Sequence, residues 1–169
     1  MPQYVLEFGA EELAPVVDAL ISWMGQPDTI EIATNEPDAP KYEHTTENLP
    51  VVVDRLQRGT LVSVILRGGT PGLRYGLILS PHFNGQRLSK WMGTLESTAS
   101  DWRPMWNTLL KSDRLSFVCL GSEEGVELSD DQLNVSMFPW NEWPMIIGAL
   151  RDADGQWVIR ENAAYVASH

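Results

Sequence analysis

Residues 60–94 contain three consecutive strand-like segments, and these constrain the fold more than any other part of the sequence. Segments 60–67 and 73–83 are rich in aliphatic residues. Asn84-Gly85 follows the second of them and is the kind of residue pair that closes a two-residue hairpin. Residues 86–94 are therefore expected to return beside 73–83, and the three segments predict an antiparallel meander.

Segments on either side of the meander predict helices and further strands. Apolar residues recur at helical spacing in 10–24 and from about 97 to 111, and Pro50 and Gly59 fit the two ends of a short helix over 49–58. Apolar or alternating patterns predict further strands at 3–8, 29–34, 115–120, 145–151 and 156–160. The sequence predicts an α+β fold in a single domain over residues 1–169. The prediction is a mainly antiparallel sheet of about six strands, with two or three helices packed on it.

The size of the chain allows a core without covalent cross-links. The sequence has 169 residues, of which 43% are hydrophobic, and a chain of this length buries roughly 70% of its unfolded surface. Its one cysteine, Cys119, excludes an internal disulfide. Cys119 lies within the apolar segment 115–120, so we interpret it as a buried strand residue.

Charge is sorted along the chain into blocks of one sign. Residues 1–50 carry ten acidic side chains and one lysine, residues 51–115 carry nine basic and four acidic side chains, and residues 116–169 carry nine acidic side chains and two arginines. Blocks of this kind create surface fields that attract partners of opposite charge. The net charge of −11 argues against a nucleic-acid or anionic-membrane surface, since phosphate binding needs a basic face.

The start of the sequence does not resemble a secretory signal. It lacks a basic segment followed by an apolar core, and no apolar run in the chain approaches the length of a membrane span. The expected location is the cytoplasm.

Motifs that carry catalytic or cofactor chemistry are incomplete. Residues 152–155 resemble a calcium loop, but the first ligand position would be Leu150, which has no side-chain oxygen. The glycine-rich turn 68–72 lacks the spacing of a phosphate-binding loop. No two of the three histidines and the cysteine are at zinc-ligand spacing. The sequence predicts no catalytic residue, no metal and no cofactor.

Two acidic segments and one aromatic segment are the candidate binding residues. Residues 35–48 and 121–131 supply clustered carboxylates, and residues 138–144 hold three aromatic side chains without helical or strand periodicity. Complementary charge accelerates capture of a partner, while buried tryptophans often carry the affinity. The predicted partner-binding residues are Glu36, Asp38, Glu43, Glu47, Glu123, Glu124, Glu127, Asp130, Asp131, Trp140 and Trp143.

These features favour a non-enzymatic acidic binding protein, such as an immunity or inhibitor protein that neutralises a basic partner, for example a toxin. A small enzyme or ligand-binding domain is the alternative, in which Arg67, Arg74 and Arg87 would grip an anionic small molecule beside tryptophans. A third possibility is a subunit whose partner is a second copy of the chain, with the basic block pairing with the acidic ones.

Overall fold

The computed structural model describes residues 2–36, 38–99, 101–122 and 124–168. Within these ranges every strand belongs to one antiparallel sheet, in the order β3-β2-β4-β5-β6-β1-β7-β8-β9. The strands are β1 (Gln3–Ala10), β2 (Pro27–Ala33), β3 (Glu43–His44), β4 (Ser63–Thr70), β5 (Leu73–Asn84), β6 (Arg87–Ser97), β7 (Leu115–Gly121), β8 (Met145–Arg151) and β9 (Trp157–Glu161). The helices are α1 (Ala14–Met24), α2 (Leu49–Gln57), α3 (Arg103–Leu110) and α4 (Ala163–Ser168), with a short 3₁₀ helix at Asp130–Gln132.

The α+β class and the antiparallel sheet are confirmed, but the prediction of about six strands is wrong. The sheet of the described residues has nine strands, and four α-helices accompany it. The two-residue strand β3 pairs with β2 inside a segment that has no strand pattern. At the other edge, the β8–β9 hairpin joins the same sheet through β7. The short helix α4 follows β9 at the end of the chain.

The predicted meander forms the centre of the sheet. Strands β4, β5 and β6 pair in order, and the pairing of Ile65 with Ile78 and of Ile78 with Thr94 fixes their register. Gly85 closes the β5–β6 hairpin with φ 67°, a conformation that glycine adopts without steric cost. Strand β1 inserts beside β6, so the meander connects to β7 through the first strand of the chain.

Helices α1, α2 and α3 cover one face of the sheet. Alternate residues of the strands point toward them, as the two-residue period of a strand requires. This face and the helices form the main core, in which Leu6, Trp91 and Trp106 are buried. Trp91 also donates its indole N–H to the carbonyl of Ala10, at 3.1 Å, which joins β6 to the end of β1.

The connection between β7 and β8 covers part of the opposite face and encloses a second core. Phe138 packs against Gly148 so closely that a Cβ there would lie 2.5 Å from the phenyl ring. Only glycine at position 148 leaves room for that contact. The second core consists of Phe117, Cys119, Leu128, Phe138, Trp140, Met145 and Leu150.

Much of the rest of that opposite face is open to solvent, although Ser63 and Ile65 of β4 are buried there. Ile78, at the centre of β5, is 36% exposed, and Met92 and Thr94 on β6 are half-buried. We call this area the exposed sheet face. It consists of exposed or half-buried residues that point outward from the middle of β4, β5 and β6: Arg67, Gly76, Ile78, Ser80, Met92, Thr94 and Glu96.

Candidate functional site

Residues 124–131 lie across β1 and β6 along one border of the exposed sheet face, and we call them the acidic ridge. Both backbone groups of Leu128 are bonded to side chains that rise from the sheet. The Leu128 N–H donates to Glu7 Oε2 at 3.1 Å, and the Leu128 carbonyl accepts a hydrogen bond from Lys90 Nζ. The Leu128 side chain enters the second core. The ridge is therefore fixed to the sheet at its middle.

Glu7 and Lys90 form a buried ion pair beneath the ridge. Their side chains are 1% and 5% exposed, and Lys90 Nζ lies 3.2 Å from Glu7 Oε1. A buried charge that loses its partner destabilises a protein by about 3–5 kcal/mol, because neither water nor another ion replaces the partner. The hydrogen bonds to Leu128 satisfy further donors and acceptors of the pair, so the position of the ridge and the stability of the pair depend on each other.

Contacts near both ends of the ridge extend this attachment. Gly125 lies over β1, where a Cβ would be 3.2 Å from Val5 Cγ1. Farther along, Asp130 accepts hydrogen bonds from the Ser89 hydroxyl and from Asn84 Nδ2. These hydrogen bonds, the Ser89 one foremost, hold the pKa of the Asp130 carboxyl below its usual range, because they stabilise the ionised form.

The ridge displays carboxylates that no cation of the described chain neutralises. Glu124, Glu127 and Asp131 are exposed and form no ion pair among the described residues. Glu127 has φ 57°, a left-handed conformation that costs a residue with a Cβ roughly 1 kcal/mol. Glu123, which the sequence also predicted to bind a partner, lies outside the described residues.

Residues 35–48, which we call the edge segment, lie at the β3 end of the sheet. Among the described residues, this segment is attached by the β3–β2 pairing, by the hydrogen bond between the Tyr42 hydroxyl and Ser63 Oγ at 2.8 Å, by a hydrogen bond from the Thr45 N–H, and by contacts near the start of α2. Three of its predicted binding residues are exposed, whereas Glu47 forms an ion pair with Arg55. The three exposed residues are Glu36, Asp38 and Glu43.

The ridge and the edge segment do not merge into one patch. Strands β2, β4 and β5 separate β3 from β6, and four strand spacings correspond to about 20 Å. The two acidic segments instead border the exposed sheet face from opposite sides. The carboxylates of the ridge therefore form one group, and the carboxylates of the edge segment lie on the opposite border of the face.

The two candidate tryptophans occupy different environments. Trp140 is 7% exposed, and its indole N–H donates to the Val135 carbonyl at 2.9 Å. The Arg160 guanidinium lies over the Trp140 ring, 4.9 Å from its centroid. Trp140 therefore takes part in the packing of the second core. Trp143 is 65% exposed, beside Pro144, whose carbonyl accepts a hydrogen bond from the Ser122 N–H. Trp143 therefore remains available to a partner near the start of the ridge.

The three arginines of the alternative hypothesis do not converge. Arg67 pairs with Glu31, and Arg74 lies 3.0 Å from Asp28. Arg87 lies at the other end of the β5–β6 pair, roughly 30 Å away along β5 at the usual rise of a strand. It lines an open groove of 1220 Å³ that includes neither of the other two.

That groove contains two further arginines that internal contacts occupy. The Arg151 guanidinium donates to the carbonyls of Ser112, Leu115 and Gly155 and stacks on Trp157 at 3.7 Å. Arg114 lies within 4 Å of a Glu12 carboxylate oxygen. These contacts hold the hairpin ends together and leave little of the arginine charge for a ligand.

Two other features of the sequence have internal roles. The Asp152 carboxylate accepts the N–H groups of Asp154 and Gln156, at 2.9 Å each, so it closes the β8–β9 turn. Cys119 is fully buried in the second core, as the sequence predicted. Burial, and secondarily the Glu7 carboxylate, raises the pKa of its thiol far above the usual range, which disfavours the reactive thiolate.

Sequence reasoning missed Glu7 and Lys90, the residues that fix the ridge. Glu7 lies between two apolar residues of a strand and Lys90 precedes Trp91, and a charged side chain at such a position normally lies on a solvated face. The signal that could identify them lies elsewhere in the chain. It is the irregular segment that follows β7 and crosses back over the sheet.

Within the described residues, no helix has the length and apolar character needed to cross a membrane. Comparisons with protein-family models, with curated proteins and with solved structures found no match to this chain.

Proposed function

We propose that this chain is a non-enzymatic acidic binding protein that neutralises a basic partner protein in the cytoplasm, as an immunity protein neutralises a toxin. One observation carries the proposal: Glu124, Glu127 and Asp131 of the ridge are exposed and form no ion pair within the described ranges, while the backbone beneath them is fixed by a buried ion pair. Because the backbone of the ridge is already fixed, its carboxylates lose little conformational entropy when a partner binds.

The charge of the whole chain supports the same proposal. With a net charge of −11, the protein attracts cationic proteins over distances beyond contact and accelerates their encounter. Many of its basic side chains are already paired within the chain, among them Arg55, Arg67 and Arg74. The unpaired charge that the surface presents to a partner is therefore mainly negative.

Trp143 supplies an exposed aromatic side chain beside this charge. Tryptophan is over-represented among the few interface residues that carry most of the binding energy. Charge on the ridge would guide the partner, and burial of the Trp143 ring would slow its release. Trp143→Ala is expected to raise the dissociation rate with little effect on the association rate.

Affinity capture from the native cell at low salt tests the proposal. The immobilised protein is expected to retain a basic protein in stoichiometric amount and to release it as salt rises. The purified partner should then bind in solution and lose its activity when bound. Capture in which no basic protein is retained at a stoichiometric level, or a bound partner that stays fully active, would contradict the proposal.

A further inference from the structure

The exposed sheet face has an apolar centre that runs across its strands. Ile78 of β5 lies beside Ile65 of β4, which is only 8% exposed, and the half-buried Met92 of β6 lies opposite Ser80, two residues farther along β5. Ile78 is 36% exposed although it lies in a central strand of the sheet. Ile78 and the half-buried Met92 give this face an apolar centre that is available to a partner.

The borders of this face are acidic or neutral. The ridge lies along the β6 and β1 side, and Glu96 adds an exposed carboxylate on β6 itself. On the β4 side the charge of Arg67 is balanced by Glu31, which also has His44 Nε2 at 3.8 Å from its carboxylate. The complementary surface is therefore apolar in the middle and cationic on the side that faces the ridge.

The width of the exposed sheet face matches one helix. It spans β4, β5 and β6, and two strand spacings correspond to about 10 Å. An α-helix with its side chains has a diameter of roughly 10–12 Å. A single helix that packs along β5 would cover Ile78 and place one flank beside the ridge.

We infer that the basic partner docks an amphipathic helix on the exposed sheet face, with its apolar stripe on Ile78 and Met92 and its Lys or Arg side chains on the ridge carboxylates. The inference rests on the proposed function and names the surface that performs it. The ridge then contacts the partner directly, whereas the edge segment contributes only to the long-range electrostatic attraction.

The test uses the complete, ¹⁵N-labelled protein and a capped peptide of about 18 residues, built from leucine and lysine with leucine at helical spacing. A peptide of the same composition, with its leucines dispersed, is the peptide control. Binding is followed by amide chemical shifts and by isothermal calorimetry at two salt concentrations. The expected shifts lie in β4, β5, β6 and residues 124–131, and the dispersed peptide should bind at least about 5-fold more weakly.

Two triple reversals form a matched pair of variants, because each changes the net charge by the same amount. E124K/E127K/D131K reverses the ridge, and E36K/D38K/E43K reverses the edge segment. The first is expected to weaken peptide binding by more than about 10-fold and the second by less than about 3-fold at physiological salt. Circular dichroism and thermal melting confirm that both variants fold.

A second pair of variants separates the apolar contribution from charge. Ile78→Thr shortens the exposed side chain and keeps its β-branch, and it is expected to weaken binding by about 3-fold or more. Val51→Thr makes the same kind of change on the exposed side of α2, where Val51 is 43% exposed. It should leave the affinity unchanged.

Several outcomes would overturn the inference. They are the absence of saturable binding, equal weakening by the two triple reversals, equal affinity for the dispersed peptide, or shifts confined to the edge segment or the helices. The proposed function fails separately. If the captured basic partner binds and is inhibited but is indifferent to the ridge reversal, the function stands and the surface is wrong. If the peptide maps to the ridge but no basic partner is captured, the surface stands and the function is wrong.

Discussion

The acidic ridge and the edge segment carry the same number of described carboxylates but are held in different ways. In the ridge, Glu7 and Lys90 bind the backbone of Leu128 from below, and the Leu128 side chain lies in a core. In the edge segment, a two-residue strand, a few hydrogen bonds and the partly exposed Glu47–Arg55 ion pair provide the attachment. Charge that is already in place can form contacts at little ordering cost, whereas charge on a weakly attached segment contributes mainly through its field.

The largest expected effect breaks the attachment of the ridge. Lys90→Met leaves the Glu7 carboxylate buried without a cation, so the free energy of unfolding should fall by about 3 kcal/mol or more. Arg55→Met removes the cation of Glu47 in the edge segment, where both side chains of the pair are about one-third exposed, and should cost less than about 1 kcal/mol. Urea denaturation measures both values.

The double variant Glu7→Gln/Lys90→Met is the control for this comparison. It removes both charges and keeps an acceptor for the Leu128 N–H, so it should recover at least about 1 kcal/mol relative to Lys90→Met. A cost for Lys90→Met no greater than that for Arg55→Met would show that the ridge is not held by the buried pair.

Hydrogen exchange compares the two segments without mutation. The Leu128 amide donates to a buried carboxylate, whereas the Ala39 amide donates to Glu36 in an exposed turn. If opening the ridge costs about 3 kcal/mol more than opening the turn, Leu128 should be protected about 100-fold more than Ala39. Lys90→Met should remove most of that difference. Equal protection in the unmodified protein would contradict the comparison.

Association kinetics with the captured partner sharpen the comparison further. E36K/D38K/E43K should slow association by about 5-fold at low salt, because it weakens the field that guides the partner. The dissociation rate and the melting temperature should stay nearly unchanged, since these exposed side chains form no ion pair within the described residues. Stopped-flow mixing measures the two rates, and an unchanged association rate would exclude the edge segment as a source of the field.

The smallest expected effect concerns the end of the ridge. Because its hydrogen bonds lower the pKa of Asp130, the ionised carboxyl stabilises the fold above its ordinary pKa near 4, and this contribution disappears as the pH falls through the lowered value. Asp130→Asn should therefore lower the melting temperature slightly at pH 7 and not at pH 2. Asp38→Asn, the control in the edge segment, should change it at neither pH. A decrease in melting temperature that is larger at pH 2 than at pH 7 would contradict this prediction.

Local patterns in the sequence predict the meander, the β8–β9 hairpin and helices α1 to α3. Asn84-Gly85 and the alternation around it depend only on neighbouring residues, so the β5–β6 pairing follows from them. The number of strands does not follow in this way, because β3 has two residues and forms only by pairing with β2. The predicted start of α1 at residue 10 is also wrong, since pairing with β7 extends β1 to Ala10.

The candidate site was predicted only in part. Charge patterning located both acidic segments, because it can be read directly from the residues. Which segment is fixed depends on Glu7 and Lys90, whose partner Leu128 lies 121 and 38 residues away along the chain. Trp140 is likewise buried because the connection between β7 and β8 covers the sheet face opposite the helices. No local sequence pattern predicts that packing.

A partner docked as proposed covers the exposed sheet face beside the ridge. Amide hydrogen exchange of the complete protein, alone and with its captured partner, measures this coverage residue by residue. Binding is expected to slow exchange in β4, β5, β6 and residues 124–131 and to leave exchange in the edge segment and in helices α1 to α3 unchanged. Slower exchange in the edge segment or in those helices, with none in β5 or the ridge, would contradict this expectation.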